Sequence, residues 1–132
     1  VLNLTDEEAL EEIRTADKCA VVLEADIVSL NSSVQDEKYD RPANPYLCLL
    51  AEARSGLMLA AELSGPEEDE KIVLAETLLS FIAKAGAPEE VRVRNVLIEA
   101  VLEQICKEAG IKLRRVKRLH SVEEFMKEMR KF

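Results

Sequence analysis

The sequence predicts an α/β fold with a mixed five-stranded sheet, flanking helices and an extra N-terminal helix. Three observations predict it. Residues 70–119 follow the order helix, strand, helix, strand with short joints, which is typical of a βαβ unit and implies parallel pairing. Residues 46–53 and 57–63 are apolar runs joined by three residues ending in glycine, which indicates an antiparallel hairpin. Residues 19–30 begin with a continuous apolar run, as a strand covered on both faces does.

Length and composition are those of one globular domain. The chain has 132 residues, of which 48% are apolar and 33% charged. No apolar run approaches the ~18 residues that cross a bilayer, and no secretory signal pattern is present. We therefore expect a single domain over residues 1–132, with 1–17 as a helical appendage and 18–132 as the core. The missing initial methionine indicates a processed chain or a piece of a longer protein.

The cysteine pattern predicts thiols without a metal. Cys19, Cys48 and Cys106 are widely spaced, and each lies in an apolar run. No CxxC pair or Cys/His cluster is present, which argues against a zinc site. We expect three buried, reduced thiols in a cytoplasmic protein.

The charge is distributed unevenly. The net charge of −8 argues against general nucleic-acid binding, because phosphates dominate such affinity. Residues 1–110 hold 10 basic and 23 acidic side chains (net −13), whereas residues 111–132 hold 8 basic and 3 acidic ones (net +5). This basic end is either a surface for a partner or a solvated edge strand protected by its charges. The basic strip consists of Lys112, Arg114, Arg115, Lys117 and Arg118.

The first half of the chain contains local signals for its elements. Thr5 to Glu8 has capping-box form, which predicts a helix extending to about Ala16. Gly56 is expected in the left-handed position of the hairpin turn. The acidic residues 67–70 suit the positive end of the dipole of the next helix.

Apolar spacing and breakers define the βαβ part. Leucines and isoleucine at 74, 78 and 82 lie one turn apart, and Gly86 fits a helix C-cap. Val91 and Val93 alternate with Arg92 and Arg94, as in a strand with one apolar face. Asn95 is a candidate N-cap for the following helix, which Gly110 closes.

The end of the chain predicts a strand and a helix. Apolar residues between 111 and 119 mark the strand. Ser121 to Glu124 has capping-box form, with Ser121 as the expected N-cap. Val122, Phe125, Met126 and Met129 give this helix one apolar face, which we assign to the core.

Two acidic residues interrupt the first strand. Glu24 and Asp26 are two residues apart and therefore lie on the same face. Like charges placed this way repel, so solvent, a cation or a basic partner must accommodate them. Solvent exposure beyond a sheet edge is the simplest expectation.

Residues 31–45 are polar and rich in Asn, Ser and Pro, which predicts a long loop. Tyr39 and Arg41 are its most distinctive side chains and are candidate ligand contacts. The alternative for Tyr39 is an aromatic anchor that packs the loop down. A small-molecule pocket at the strand ends near this loop is a further, weaker hypothesis.

The order of elements resembles the ribonuclease H-like fold of retroviral-type integrase and transposase cores. Three stretches are similar to segments of those proteins: residues 46–56 to the hairpin, 87–95 to the approach to the second catalytic position, and 107–111 to a helix-to-strand joint. The resemblance covers residues 19–130. The chain also resembles a family of uncharacterised prokaryotic domains.

The resemblance implies a place for three catalytic carboxylates around two divalent cations. The first would be Glu24 or Asp26. The second is an aspartate at the end of the fourth strand, where this chain has Asn95. An amide brings no charge to a cation, and an N-cap role explains Asn95 without catalysis. The third would come from the last helix, where the candidates are Glu123, Glu124 and Glu128. By this comparison the catalytic pattern is degenerate.

Two functions follow from these observations. The first is a non-catalytic ribonuclease H-like interaction or regulatory module without a cofactor, whose partner is another protein or a second copy of the chain. The alternative is a metal-dependent phosphodiester nuclease or transferase that uses Mg²⁺ or Mn²⁺ with a rearranged carboxylate set. The four glycines are too scattered for a phosphate-binding loop.

Overall fold

The computed structural model describes residues 7–29, 45–65 and 67–130. These residues form four helices and five strands, which confirms the predicted α/β class. The elements are α1 (Glu7–Arg14), β1 (Val22–Ser29), β2 (Tyr46–Glu52), β3 (Met58–Ser64), α2 (Glu70–Ala85), β4 (Glu90–Val93), α3 (Val96–Ala109), β5 (Lys112–Arg115) and α4 (His120–Arg130). No helix in this part of the chain is long and apolar enough to cross a membrane.

The strands form one mixed sheet with the order β3-β2-β1-β4-β5. β1 and β2 are antiparallel, as are β2 and β3. β4 pairs in parallel with both β1 and β5, which places α3 in the predicted crossover. The hairpin turn contains Gly56 with φ 77°, the left-handed conformation that was predicted. The mixed five-stranded sheet is therefore confirmed.

Helices cover the two faces of the sheet unequally. The larger core cluster joins α1, α2 and α3 to the face that carries Leu23, Leu50 and Val91. A smaller cluster joins α4 to the face that carries Val28 and Leu49. Because side chains alternate along a strand, Glu24 and Asp26 lie on the same face as Val28, the α4 face. The path of the chain thus places both acids under the last helix.

The helix ends follow the sequence except at α4. Asp69 caps α2, and the Gly86 N–H donates to the Ile82 carbonyl at its end. Gly110 ends α3 in the left-handed conformation. The prediction that Ser121 is the N-cap of α4 was wrong, because the helix begins at His120 and Ser121 lies in its first turn. Thr5 of the first capping box lies outside the described residues.

The last strand and the cysteines also differ from the prediction. β5 ends at Arg115, so its apolar pattern continued four residues beyond the strand. All three cysteines are free, and Cys48 and Cys106 are buried. Cys19 is only half-buried, because it lies in the connection before β1 rather than within the sheet. The expectation of three buried thiols was wrong for Cys19.

The cysteines are expected to differ in reactivity. Burial raises the pKa of the Cys48 and Cys106 thiols to about 12, so the reactive thiolate is scarce at neutral pH. Ellman's reagent should therefore react with one thiol per native chain, at Cys19, and with three after unfolding. Cys19→Ser should abolish the native reaction. Fast native labelling of Cys48 or Cys106 would contradict the expected order.

Candidate functional site

Glu24 lies near the start of β1 and binds the first turn of α4. Its side chain is 3% exposed. Oε1 accepts hydrogen bonds from the backbone N–H groups of Ser121 (3.0 Å) and Val122 (3.1 Å), and Oε2 lies 3.2 Å from the Ser121 nitrogen. The first N–H groups of a helix have no partner within the helix, and the dipole there favours negative charge. Glu24 therefore caps α4 from a distant strand.

Ser121 supports the same junction from the helix side. Its hydroxyl donates to the Glu52 carbonyl at 3.1 Å, at the end of β2. This contact explains why the capping-box interpretation of Ser121 failed. The hydroxyl binds the sheet, and the carboxylate of Glu24 occupies the capping position.

Asp26 forms an ion pair with Arg94 at the end of β4. Asp26 is 2% exposed, and its Oδ2 lies 2.8 Å from Arg94 Nη2. Oδ2 accepts no hydrogen bond from the residues that the structure describes, so the contact is one of opposite charges rather than an aligned hydrogen bond. The parallel register pairs Glu24 of β1 with Arg92 of β4. Two residues further along in the same direction, Arg94 lies level with Asp26.

These contacts overturn the expectation that the two acids are exposed. Both are almost completely buried. A buried carboxylate is costly unless it is paired or hydrogen-bonded. Helix N–H groups accommodate Glu24, and a basic side chain accommodates Asp26.

Burial and the neighbouring positive charge shift the pKa of Asp26 in opposite directions. Desolvation raises the pKa of this carboxyl, and the Arg94 guanidinium offsets only part of the rise. The native state thus holds a proton on Asp26 at a pH where the unfolded chain, with a pKa of about 3.8, has lost it. This group's contribution to stability is therefore lost as the pH rises from the unfolded pKa through the folded pKa.

Asp26→Asn is expected to remove this pH dependence. The free energy of unfolding of the variant should increase relative to that of the native sequence as the pH rises from the unfolded pKa of about 3.8 through the raised folded pKa. The contact with Arg94 does not reverse this direction, because it stabilises only the ionised carboxylate and its effect is already included in the raised pKa of Asp26. Urea unfolding at several pH values measures the difference. If the stability of Asp26→Asn relative to the native sequence stays constant or falls as the pH rises, the raised pKa assigned to Asp26 is contradicted.

Asn95 performs the predicted capping role. Its Oδ1 accepts a hydrogen bond from the Leu97 N–H at 2.7 Å, which confirms it as the N-cap of α3. The amide is therefore engaged with its own helix. Its candidacy as a catalytic residue stays a prediction.

The acids of α4 lie at the surface above the sheet. Glu123 contacts Arg118, with Nη2 and Oε2 at 2.8 Å, and this hydrogen bond lowers the pKa of the Glu123 carboxyl. Glu124 is exposed and lies 3.6 Å from Lys127. Glu128 is exposed on the same helix. Within the described ranges, no three His, Cys, Asp or Glu side chains are grouped so that they could hold a metal ion.

Two clefts meet at Arg94. One, of about 490 Å³, has Arg94, Arg118, Glu123 and Lys127 around apolar residues of β1 and α4. The other, of about 580 Å³, is lined by Arg94 and the end of β5: Arg114, Arg115, Val116 and Lys117. Arg94 thus connects the buried acid to a cationic surface.

The predicted binding residues fall into three groups. Lys112 and Arg118 have acidic neighbours, Glu90 at 3.7 Å and Glu123. Arg114, Arg115 and Lys117 line the second cleft. Tyr39 and Arg41 lie outside the described residues. The structure thus brings three members of the basic strip together with Arg94.

Arg94 was not among the residues singled out from the sequence. The signal was present, because Arg92 and Arg94 occupy the polar face of a strand in the βαβ unit. Parallel pairing of that strand with β1 brings this face beside Glu24 and Asp26. The missing knowledge was the register, which sequence periodicity does not contain.

Solved structures similar to this chain include retroviral integrases. The chain is similar to a chain of the simian T-cell lymphotropic virus intasome in complex with the PP2A regulatory subunit B56 gamma (TM-score 0.56, 14% identity, 80% of this chain and 36% of that one). It is also similar to the HTLV-2 integrase catalytic core domain in complex with magnesium, in its trimeric form (TM-score 0.55, 17% identity) and its dimeric form (TM-score 0.54, 16% identity).

These similarities establish the ribonuclease H-like fold. Each alignment with the HTLV-2 core covers 80% of this chain and 63% of that one, so the chain spans less than two-thirds of the structures it matches. No curated protein sequence matches the chain. The sequence model of one family matches residues 9–130, nearly the whole chain. The chain therefore belongs to the family described as "Domain of unknown function (DUF6930)".

Proposed function

We propose that this chain is a non-catalytic ribonuclease H-like module that acts by binding a protein partner. The observation that carries the proposal is the Arg94–Asp26 ion pair. In a two-metal site, cations lie between the carboxylates and bring the positive charge that stabilises the reacting oxygens. Here a guanidinium contacts the buried carboxylate and supplies the positive charge from within the protein.

Other candidate catalytic residues support the same proposal. The Glu24 carboxylate accepts hydrogen bonds from the first turn of α4, so binding a cation would compete with the anchoring of that helix. Asn95 caps α3. Glu123 pairs with Arg118. Each group has a structural contact that accounts for its position without catalysis.

We further propose that the chain is one domain over residues 1–132, with a core of 18–132, and that it works in the cytoplasm, where its three free thiols would stay reduced. The intasome similar to this chain was solved with a protein bound to it. That precedent supports a protein partner for this fold without identifying one.

A second candidate is a metal-dependent phosphodiester enzyme with a rearranged carboxylate set. The observation in its favour is the similarity to integrase cores solved with magnesium. It would use Glu24, Asp26 and an acid of α4. The Arg94 contact would then have to open for a cation to bind.

Manganese titration followed by NMR separates the two candidates. For the proposed module, amide broadening should be weak and spread over acidic surface such as residues 67–70. Focused broadening at residues 24–26, 95 and 121–128 would indicate a metal site. Cleavage of a labelled DNA or RNA duplex by the purified chain in Mg²⁺ or Mn²⁺ would overturn the proposal, and a preparation carrying Asp26→Asn controls for a contaminating nuclease.

A further inference from the structure

The carboxyl end of the β4–β5 pair carries an exposed surface that is both basic and apolar. β4 and β5 are parallel, and Val93 is paired with Arg115, so both strands end at the same edge. α3 begins immediately after β4, which brings its first turn to that edge. We call this area the basic–apolar surface. It consists of Arg94, Val96, Leu97, Arg114, Arg115 and Lys117.

The apolar part of this surface is unusually open. Val96 is 55% exposed and Leu97 is 61% exposed, although both lie in a helix whose other large apolar residues are mostly buried. They occupy the first turn of α3 on its exposed side, whereas Ile98 in the same turn is buried in the core. A short polar side chain at either position would serve the helix equally well. Two exposed apolar residues beside a cationic cleft indicate a contact surface.

Most of the positive charge in the basic part has no acidic partner at ion-pair distance within the described residues. Arg114, Arg115 and Lys117 are exposed and form no ion pair with the described part of the chain. Their side chains surround a cleft of about 580 Å³. Protection of an edge strand explains charge on β5 itself, but Lys117 lies beyond that strand and Arg94 follows the end of β4. Edge protection alone therefore does not account for the cluster.

We propose that the basic–apolar surface binds an acidic peptide segment of a partner protein, with apolar side chains placed among its carboxylates. This inference rests on the proposed function and gives the partner its chemistry. Carboxylates would pair with Arg115 and Lys117, while an apolar side chain would cover Leu97. Complementary charge guides the encounter, and the apolar contact adds affinity that salt does not screen.

Nucleic acid fits this surface less well. The chain as a whole is strongly acidic, with a net charge of −8, which repels a long polyanion outside the patch. The residues that form the surface include no aromatic side chain on which a base could stack. Exposed Val96 and Leu97 would gain little from a phosphate backbone. An acidic and apolar peptide uses both halves of the surface.

Fluorescence anisotropy with labelled peptides tests the proposal on the full chain. The probe alternates Glu with Leu, and the comparison peptide alternates Glu with Ser at equal charge. Arg115→Ala/Lys117→Ala should weaken probe binding roughly tenfold, as expected for losing about two ionic contacts. The matched control, Lys84→Ala/Lys107→Ala, removes the same charge from the ends of α2 and α3 and should leave the affinity within about twofold.

Leu97→Ser tests the apolar half. It should weaken binding of the Glu–Leu probe several-fold and leave the Glu–Ser peptide unaffected, with an unchanged salt dependence for the probe. Equal losses in both charge-removal pairs, no binding of the probe, or tighter binding of a single-stranded oligonucleotide of matched charge would each overturn the inference. These outcomes are independent of nuclease activity, which tests the proposed function separately.

Discussion

Replacing Glu24 with alanine is expected to lower the free energy of unfolding by ~3 kcal/mol, because it leaves buried helix N–H groups without an acceptor and removes a charge-assisted contact. The Ser121 and Val122 N–H groups donate to this carboxylate, and Glu24 itself is 3% exposed. Water cannot readily replace the lost acceptor at such a site. The first turn of α4 should therefore separate from the sheet, or its backbone N–H groups should remain without hydrogen-bond acceptors.

Urea unfolding and hydrogen exchange measure these two effects. The Ser121 and Val122 amides should exchange faster in Glu24→Ala than in the native sequence. Glu24→Gln retains one carbonyl acceptor and should lose less stability than Glu24→Ala. The control is Glu124→Ala, which removes an exposed carboxylate from the same helix and should change stability by less than ~0.5 kcal/mol. Equal effects at positions 24 and 124 would contradict the capping role of Glu24.

Arg94→Met is expected to lower the free energy of unfolding by ~2 kcal/mol at neutral pH, because it leaves the buried Asp26 carboxylate without its counterion. We place the effect below that for a fully buried pair, since Arg94 is 40% exposed and solvent screens part of its charge. The loss should shrink in acid, where Asp26 takes up a proton and needs no counterion.

A double-mutant cycle isolates this pair. Arg94→Met/Asp26→Asn should recover most of the stability lost in Arg94→Met, because no charge then remains buried. Arg118→Met is the control, since it removes a 67% exposed partner of Glu123 and should cost less than ~0.5 kcal/mol. Additive effects of the single changes at 94 and 26 would show that the two side chains do not interact energetically.

The elements that could be predicted well from the sequence are those specified by residues close to them in the chain. The hairpin depends on Gly56, the end of α2 on Gly86 and the start of α3 on Asn95, and each signal lies within a few residues of the structure it produces. The order of such elements was sufficient for the fold class. It also placed Glu24 and Asp26 on one face of the first strand.

The features that could not be predicted from the sequence depend on contacts between residues that are far apart in the chain. α4 begins at His120 because an acceptor 97 residues away reaches the Ser121 N–H, and no local pattern contains that information. The same is true of Asp26, whose burial depends on the pairing of β1 with β4. The alternation of side chains along a strand indicates which residues share a face, but tertiary packing determines whether that face is exposed to solvent or buried.

The capping of α4 by Glu24 has a consequence for how the chain is made. The ribosome produces β1 before α4, so the Glu24 acceptor emerges before the N–H groups that donate to it. Until α4 is added, the face of the sheet with Val28, Leu47 and Leu49 lacks the helix that packs on it, and Glu24 lacks its N–H donors. Docking of α4 then buries the apolar face and the Glu24 carboxylate in one step. Addition of α4 thus completes this face of the sheet, and a chain interrupted before α4 is expected to expose the apolar face to chaperones and proteases.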